Sequence, residues 1–232
     1  MLGDISLDTR KPGGDKPGLM FRNCRDVQIR SSRFHDLGGA VRLIASEGVR
    51  VASNGFRDLR GDGVQSAGTS KVSITGNRFT DFYPGPGDHP DAIQFFTVNQ
   101  KAPASDITIT GNVIQRGKGG IVQGIFLGNE TVLPYINVNI ARNVCLGTMW
   151  NGIAVGMGER VLVADNLVQP FTEGDVGSSV VIDRCVDVAV RDNWAGVQKL
   201  GAQTNLTETG NRDVTAATGV KTLLAAWRKR RA

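Results

Sequence analysis

The sequence predicts an all-β solenoid of about eight stacked coils followed by a C-terminal helix. Three observations lead there: a glycine excess, a recurring motif and one amphipathic segment at the end. Glycine supplies 30 of the 232 residues, roughly twice the ~7% of ordinary proteins. An interior glycine costs a helix about 1 kcal/mol relative to alanine, so a helical bundle is disfavoured. The eight prolines are too few, and the Gly-X-Y period is missing, for collagen. With 40% apolar and 21% charged residues, the chain has the composition of a folded domain and not of a disordered one. No apolar run reaches the ~20 residues that span a bilayer.

The motif reads apolar-x-apolar-x-x-Asn-x-apolar. Its copies are Val49-x-Val51-x-x-Asn54-x-Phe56, Val72-x-Ile74-x-x-Asn77-x-Phe79, Ile107-x-Ile109-x-x-Asn112-x-Ile114, Val138-x-Ile140-x-x-Asn143-x-Cys145, Val161-x-Val163-x-x-Asn166-x-Val168 and Val188-x-Val190-x-x-Asn193-x-Ala195. An earlier copy, Val27-x-Ile29-x-x-Ser32-x-Phe34, puts serine in the asparagine column, and Leu206-x-Glu208-x-x-Asn211 is a decayed last copy. Copies start at residues 27, 49, 72, 107, 138, 161, 188 and 206. The basic unit is therefore near 22 or 23 residues, with insertions in the third, fourth and sixth intervals. Alternating apolar residues specify a strand with one face inward. A second short apolar stretch precedes each motif, as in Ala40-Val41-Arg42-Leu43 and Ala92-Ile93-Gln94-Phe95. One unit cannot bury its own apolar face, so units must stack and share a core. Asparagine suits the corner because it tolerates left-handed backbone and bonds neighbouring peptide groups; stacked, these corners are expected to form an amide ladder.

Coil length, alternating strands and the asparagine column resemble the right-handed parallel β-helix superfamily of pectate lyases, mannuronan C5-epimerases, polygalacturonases and phage tailspike depolymerases. The resemblance covers residues 19–213. It leaves 1–18 as a lead-in without periodicity and 214–232 as a capping helix with a basic tail. Cys24, Cys145 and Cys185 have no metal-ligand spacing and are expected to be small buried hydrophobes.

Insertions in a solenoid become loops on one face, where binding sites gather. After the motif phenylalanine, two coils turn through Phe34-His35-Asp36-Leu37 and Phe56-Arg57-Asp58-Leu59. The next reads Phe79-Thr80-Asp81-Phe82 and then inserts Tyr83-Pro84-Gly85-Pro86-Gly87-Asp88-His89-Pro90 before Asp91-Ala92-Ile93-Gln94. Three prolines stiffen this loop. Matching strand entries sets Asp62-Gly63-Val64-Gln65 beside Asp91-Ala92-Ile93-Gln94, with Gly120-Ile121-Val122-Gln123 as the next rung. Neighbouring strands lie ~4.8 Å apart. Asp62 and Asp91 are thus expected side by side, and Gln65, Gln94 and Gln123 in an outward column that either binds sugar hydroxyls or forms a structural ladder.

A carboxylate pair at that spacing suits glycoside hydrolysis; it equally suits a hard cation such as calcium or mutual elevation of pKa. His89 adds a side chain of the type that titrates near physiological pH. Asp62, Asp88, His89 and Asp91 therefore form the candidate catalytic group, the alternative being a capped turn whose aspartates bond backbone amides. The repeating Asp36, Asp58 and Asp81 read as turn chemistry, and His35 as a solvated corner residue. Arg42, Arg116 and Lys118 are candidates to neutralise a uronate carboxylate, and Trp150 either stacks on a sugar ring or is buried.

Mannuronan C5-epimerases carry an Asp-Pro-His core after a tyrosine, and Tyr83 with Asp88-His89-Pro90-Asp91 resembles it in permuted order. That likeness implies a proton-donor role for Tyr83. The superfamily as a whole implies cleavage or epimerisation of an acidic polysaccharide, by lyase, epimerase or hydrolase chemistry. In the first two, a base removes the proton beside a uronate carboxylate whose charge must be neutralised. The other reading is a non-catalytic glycan-binding or structural β-helix, as in a tailspike, which implies a homotrimer.

Val220, Leu223, Leu224 and Trp227 share one helical face and are expected to cap the last coil. The following Arg228-Lys229-Arg230-Arg231 accounts for most of the net charge of +5 and reads as a solvated helix end. Neither a nucleic-acid partner nor a membrane is expected. Met1-Leu2-Gly3-Asp4 lacks the basic segment and apolar run of a secretory signal, while an extracellular, periplasmic or virion setting fits the polysaccharide reading.

Overall fold

The computed structural model describes residues 3–5, 14–128, 130–169, 177–214 and 219–230. Its described strands form three parallel sheets of nine, eight and eight strands. A typical coil contributes one strand to each sheet: Gly39–Ile44 to the entry sheet, Glu47–Ala52 to the motif sheet and Gly55–Arg57 to the exit sheet. Each strand pairs in parallel with its equivalents in adjacent coils, so the molecule is a three-sided parallel β-helix.

Registration puts like residues in columns through the interior. Val41, Val64, Ile93, Ile125, Ile153 and Val180 line the entry sheet. On the exit sheet Phe34, Phe56 and Phe79 stack with ring centroids 4.9 and 4.6 Å apart, and Ile114, Cys145, Val168 and Ala195 continue the column. Cys145 and Cys185 are buried as expected; Cys24 is only half-buried, because its coil lies near the first end of the stack.

The corner between motif and exit sheets carries the amide ladder. Each asparagine from Asn54 to Asn193 donates one side-chain N–H to the next asparagine's Oδ1 and the other to a motif-strand carbonyl of the coil before. The same Oδ1 also accepts the backbone N–H of the preceding asparagine. Ser32 joins through its backbone N–H to Asn54 Oδ1 at 3.0 Å. Each fully flanked amide thus meets its hydrogen-bonding capacity without water.

Three expectations change. First, part of the lead-in is already sheet: Gly3–Ile5 pairs with Ser32–His35 and Pro17–Arg22 with Gly39–Ile44. Second, His35 is not solvated, since its Nδ1 lies 2.6 Å from Asp36 Oδ2 with both side chains largely covered. Its neighbour Asp36, with Asp58 and Asp81, does hold the left-handed turn, at φ 55°, 53° and 55°.

Third, the helix Val220–Arg230 lies along the flank of the stack and not across its end. Leu223 and Trp227 pack on Val144, Leu146, Leu167 and Trp194, outward residues of the exit sheet. The cause is a change in that sheet's outer column, which runs Arg33, Gly55, Arg78 and then Val113, Val144, Leu167, Trp194. The apolar half needs cover. Arg230 is no solvated tail either: it reaches Asp165 at 2.7 Å and Asp192 at 3.2 Å and lies over the Trp194 ring. The last motif-sheet strand, Gln203–Thr209, is left almost wholly exposed.

Candidate active site

The inserted segment 83–90 leaves the exit sheet and returns to the entry sheet at Asp91. Tyr83 N–H donates to Leu59 O at 2.6 Å, anchoring the start on the coil below. The far side is held by charge. Asp88 accepts from Gly85 N–H at 2.8 Å and from Arg60 Nε at 2.6 Å, and the same guanidinium bonds Asp15. These contacts keep the Asp88 carboxyl below its ordinary range, the Arg60 bond most of all. Asp88 thus ties down the loop, an arrangement closer to the capped turn than to a free acid. Asp15 and Arg60 were not singled out in the sequence, because neither belongs to the repeat or the inserted loop.

Loop and stack enclose a cleft of about 570 Å³, walled by Asp15, Arg60, Asp62, Gln65, His89 and Gln94 among others. His89 is exposed at its rim. Asp62, half-buried, accepts the backbone N–H of Asp91 at 2.9 Å on one oxygen and Gln65 Nε2 at 2.9 Å on the other. Burial raises its pKa, opposed by these bonds and by the charges of Arg42 and His89. Asp91 lies behind it, 1% exposed, with no hydrogen bond to either carboxyl oxygen. Desolvation, reinforced by the Asp62 charge and slightly eased by nearby Gln94, pushes its pKa up to about 8. At neutral pH Asp91 keeps its proton, and Asp62 is the carboxyl that meets the cleft.

The outward column beside Asp62 contains Arg42, Gln65 and Gln94 in register. Arg42 Nε donates to Gln65 Oε1, and Gln65 Nε2 donates to Gln94 Oε1 at 2.7 Å. Gln123 is not in this column: it pairs with Asp91, and Phe126 takes the place beside Gln94. The expected alignment slips by three residues because Gly119 and Gly120 belong to the preceding turn. Gly120 N–H bonds Phe82 O, and a Cβ on Gly119 would come within 2.3 Å of that oxygen. Gln123 instead accepts Asn151 Nδ2 at 2.6 Å.

Tyr83 and Lys118 line a different hollow of about 450 Å³, with Arg57 and Arg78. Desolvation there raises the Tyr83 pKa, and Lys118 N–H bonds Asp81. Neither lines the Asp62 cleft. Arg116 is used locally, its Nε bonding Gly119 O at 3.0 Å. Trp150 is not buried; it stands 58% exposed at the entry of its strand, with a φ of 39° that is unusual for a bulky residue. Among the described residues no three His, Cys, Asp or Glu side chains gather as for a metal ion.

Loosening the loop is expected to be visible without unfolding the stack. Arg60→Ala frees Asp88 and Asp15 together, and exposed ion pairs contribute little to global stability. The melting temperature should barely move while limited proteolysis within 83–90 accelerates several-fold; unchanged cleavage would contradict the clamp.

No curated protein matches the sequence. A solved structure titled glycoside hydrolase is similar in fold, with a TM-score of 0.58 at 16% identity over 92% of this chain. The match takes in only 40% of that protein, and identity so low carries the fold alone. The family described as right-handed β-helix region matches residues 13–168, which contain the asparagine ladder from Asn54 to Asn166 and the whole of the cleft loop. The chain belongs to the right-handed β-helix family.

Proposed function

We propose that this protein is a carbohydrate-active enzyme that processes an acidic polysaccharide in the Asp62 cleft. The observation that carries this reading is the cleft-facing Asp62 carboxyl with a second carboxyl, Asp91, buried directly behind it. A carboxyl group with raised pKa in a cleft is suited to general acid or base work near neutrality, and burial raises Asp62 in this way. Asp62 is then the catalytic carboxyl and Asp91 its positioning neighbour. His89 at the rim serves as the partner acid or base. Arg42, Gln65 and Gln94 present the donors and acceptors for uronate and hydroxyl groups.

Trp150 extends the binding surface. It stands three entry strands from Asp62, about 14 Å along the stack at ~4.8 Å per rung. Its strained backbone and exposed ring support a stacking platform for a sugar further along the chain.

The test is turnover of alginate, pectate, glucuronan and bacterial capsules, read both as reducing ends and as unsaturated uronate absorbance. Asp62→Asn should lower kcat at least about a hundredfold with folding retained, and Trp150→Ala should raise KM by about three- to tenfold with little change in kcat. Absorbance without a hydrolytic product selects a lyase. Absence of both products on every substrate, with uronate C5 configuration unchanged by NMR, would instead favour a glycan-binding or structural module.

A further inference from the structure

We propose a second binding site, for an oxyanion, on the outer face of the exit sheet over Gly55. The outer column there reads Arg33, Gly55, Arg78 on successive rungs, so two guanidiniums flank a position that has no side chain. A Cβ placed on Gly55 meets nothing within 4 Å. The space is a hollow of about 430 Å³, lined by Arg33, Arg57, Arg78, Gly55, Ser31 and Ser53 among others.

The charges above this hollow are not all spent. Arg57 is paired with Asp58, and among the described residues Arg78 donates only to the neutral Gln115 at 2.8 Å. Arg33 has no ion-pair partner among the described residues; Asp4 stands beside it in register on the opposite side from Gly55. Two arginines flanking the bare backbone of Gly55, with serines among the lining residues, supply the donor chemistry that a carboxylate, sulfate or phosphate group takes. The same column becomes apolar from Val113 onward and is covered by the C-terminal helix; among the described residues, no element covers the arginine half. The hollow shares Arg57, Arg78 and Thr80 with the pocket of Tyr83 and Lys118, so a longer anionic ligand has a lined path to follow.

Calorimetric titration at low salt with inorganic sulfate, inorganic phosphate and an acidic oligogalacturonate tests this. Binding of any probe should weaken at least tenfold in the Arg33→Ala/Arg78→Ala double variant and in Gly55→Val, which fills the hollow. Gly55 has no left-handed φ to strain, and the arginine variant leaves the core untouched. The remote Arg184→Ala variant should bind like the wild type. Saturation by the inorganic ions identifies a free anion site, and saturation by the oligosaccharide alone a glycan site; both support the proposal. No binding of any probe, undiminished binding in the two hollow variants, or equal loss in Arg184→Ala would overturn it. Because Asp62 and His89 lie outside the hollow, oligogalacturonate held in the cleft is common to wild type and hollow variants, and only the binding that differs between them is scored for this site.

Discussion

Replacing Asn112 with alanine should destabilise the protein by about 4–6 kcal/mol, a large share of an ordinary domain's stability. The side chain sits mid-ladder and is fully buried. Its loss strands the backbone and side-chain N–H groups of Asn77, which both donate to Asn112 Oδ1 at 3.0 Å. It also deprives Ile74 O and Asn143 Oδ1 of a donor. Buried polar groups left without partners cost about 1–3 kcal/mol each, and alanine offers no replacement. Asn112→Asp should do no better, since a carboxylate keeps the acceptor but turns a negative charge toward two oxygens. Asn211→Ala at the frayed end should cost much less, because Asn211 is only half-buried. Denaturation of the three variants checks this gradient; equal small losses would remove the ladder as a source of stability.

The second large effect is electrostatic. Asp91 has a folded pKa near 8 against ~3.9 in an unfolded chain, so the folded state holds the extra proton between those values. Stability is then full below about pH 4, falls as pH rises through the window from about 4 to 8, and levels off above it. The total loss is about 6 kcal/mol. Asp91→Asn removes the ionisation and should flatten the profile: the two proteins converge at pH 4 and diverge by about 6 kcal/mol at pH 9, the variant being the more stable. Activity of the variant should match the wild type near neutrality, where Asp91 is itself uncharged and its backbone N–H still holds Asp62, and turnover should differ only at alkaline pH, where wild-type Asp91 ionises.

Much of the fold was legible because a solenoid repeats one solution. The asparagine column, the inward apolar pairs and the aspartate turns each recur with the coil, so local preference and packing agree at every rung. The same logic brought Asp62, Asp91, Gln65 and Gln94 together. It failed where the chain departs from the repeat. Gln123 slipped out of the column because Gly119 and Gly120 were absorbed by a turn whose length the motif does not specify. The helix was readable as a helix, but its seat depends on Val144, Leu167 and Trp194 facing outward together, which emerges only from registration. Asp15 and Arg60 meet across distant segments, and no local pattern marks such a pair. Tyr83 and His89, close in sequence, line different hollows because the loop between them turns a corner of the stack.

The most direct measurement is the titration of the aspartate side-chain carboxyl carbons by NMR, with Asp91 assigned from the Asp91→Asn variant. One carboxyl titrating near pH 8, absent in that variant, is the predicted result. Titration of Asp91 below about pH 5, in the ordinary aspartate range, would contradict a protonated Asp91 behind Asp62, and with it the chemistry proposed for the cleft.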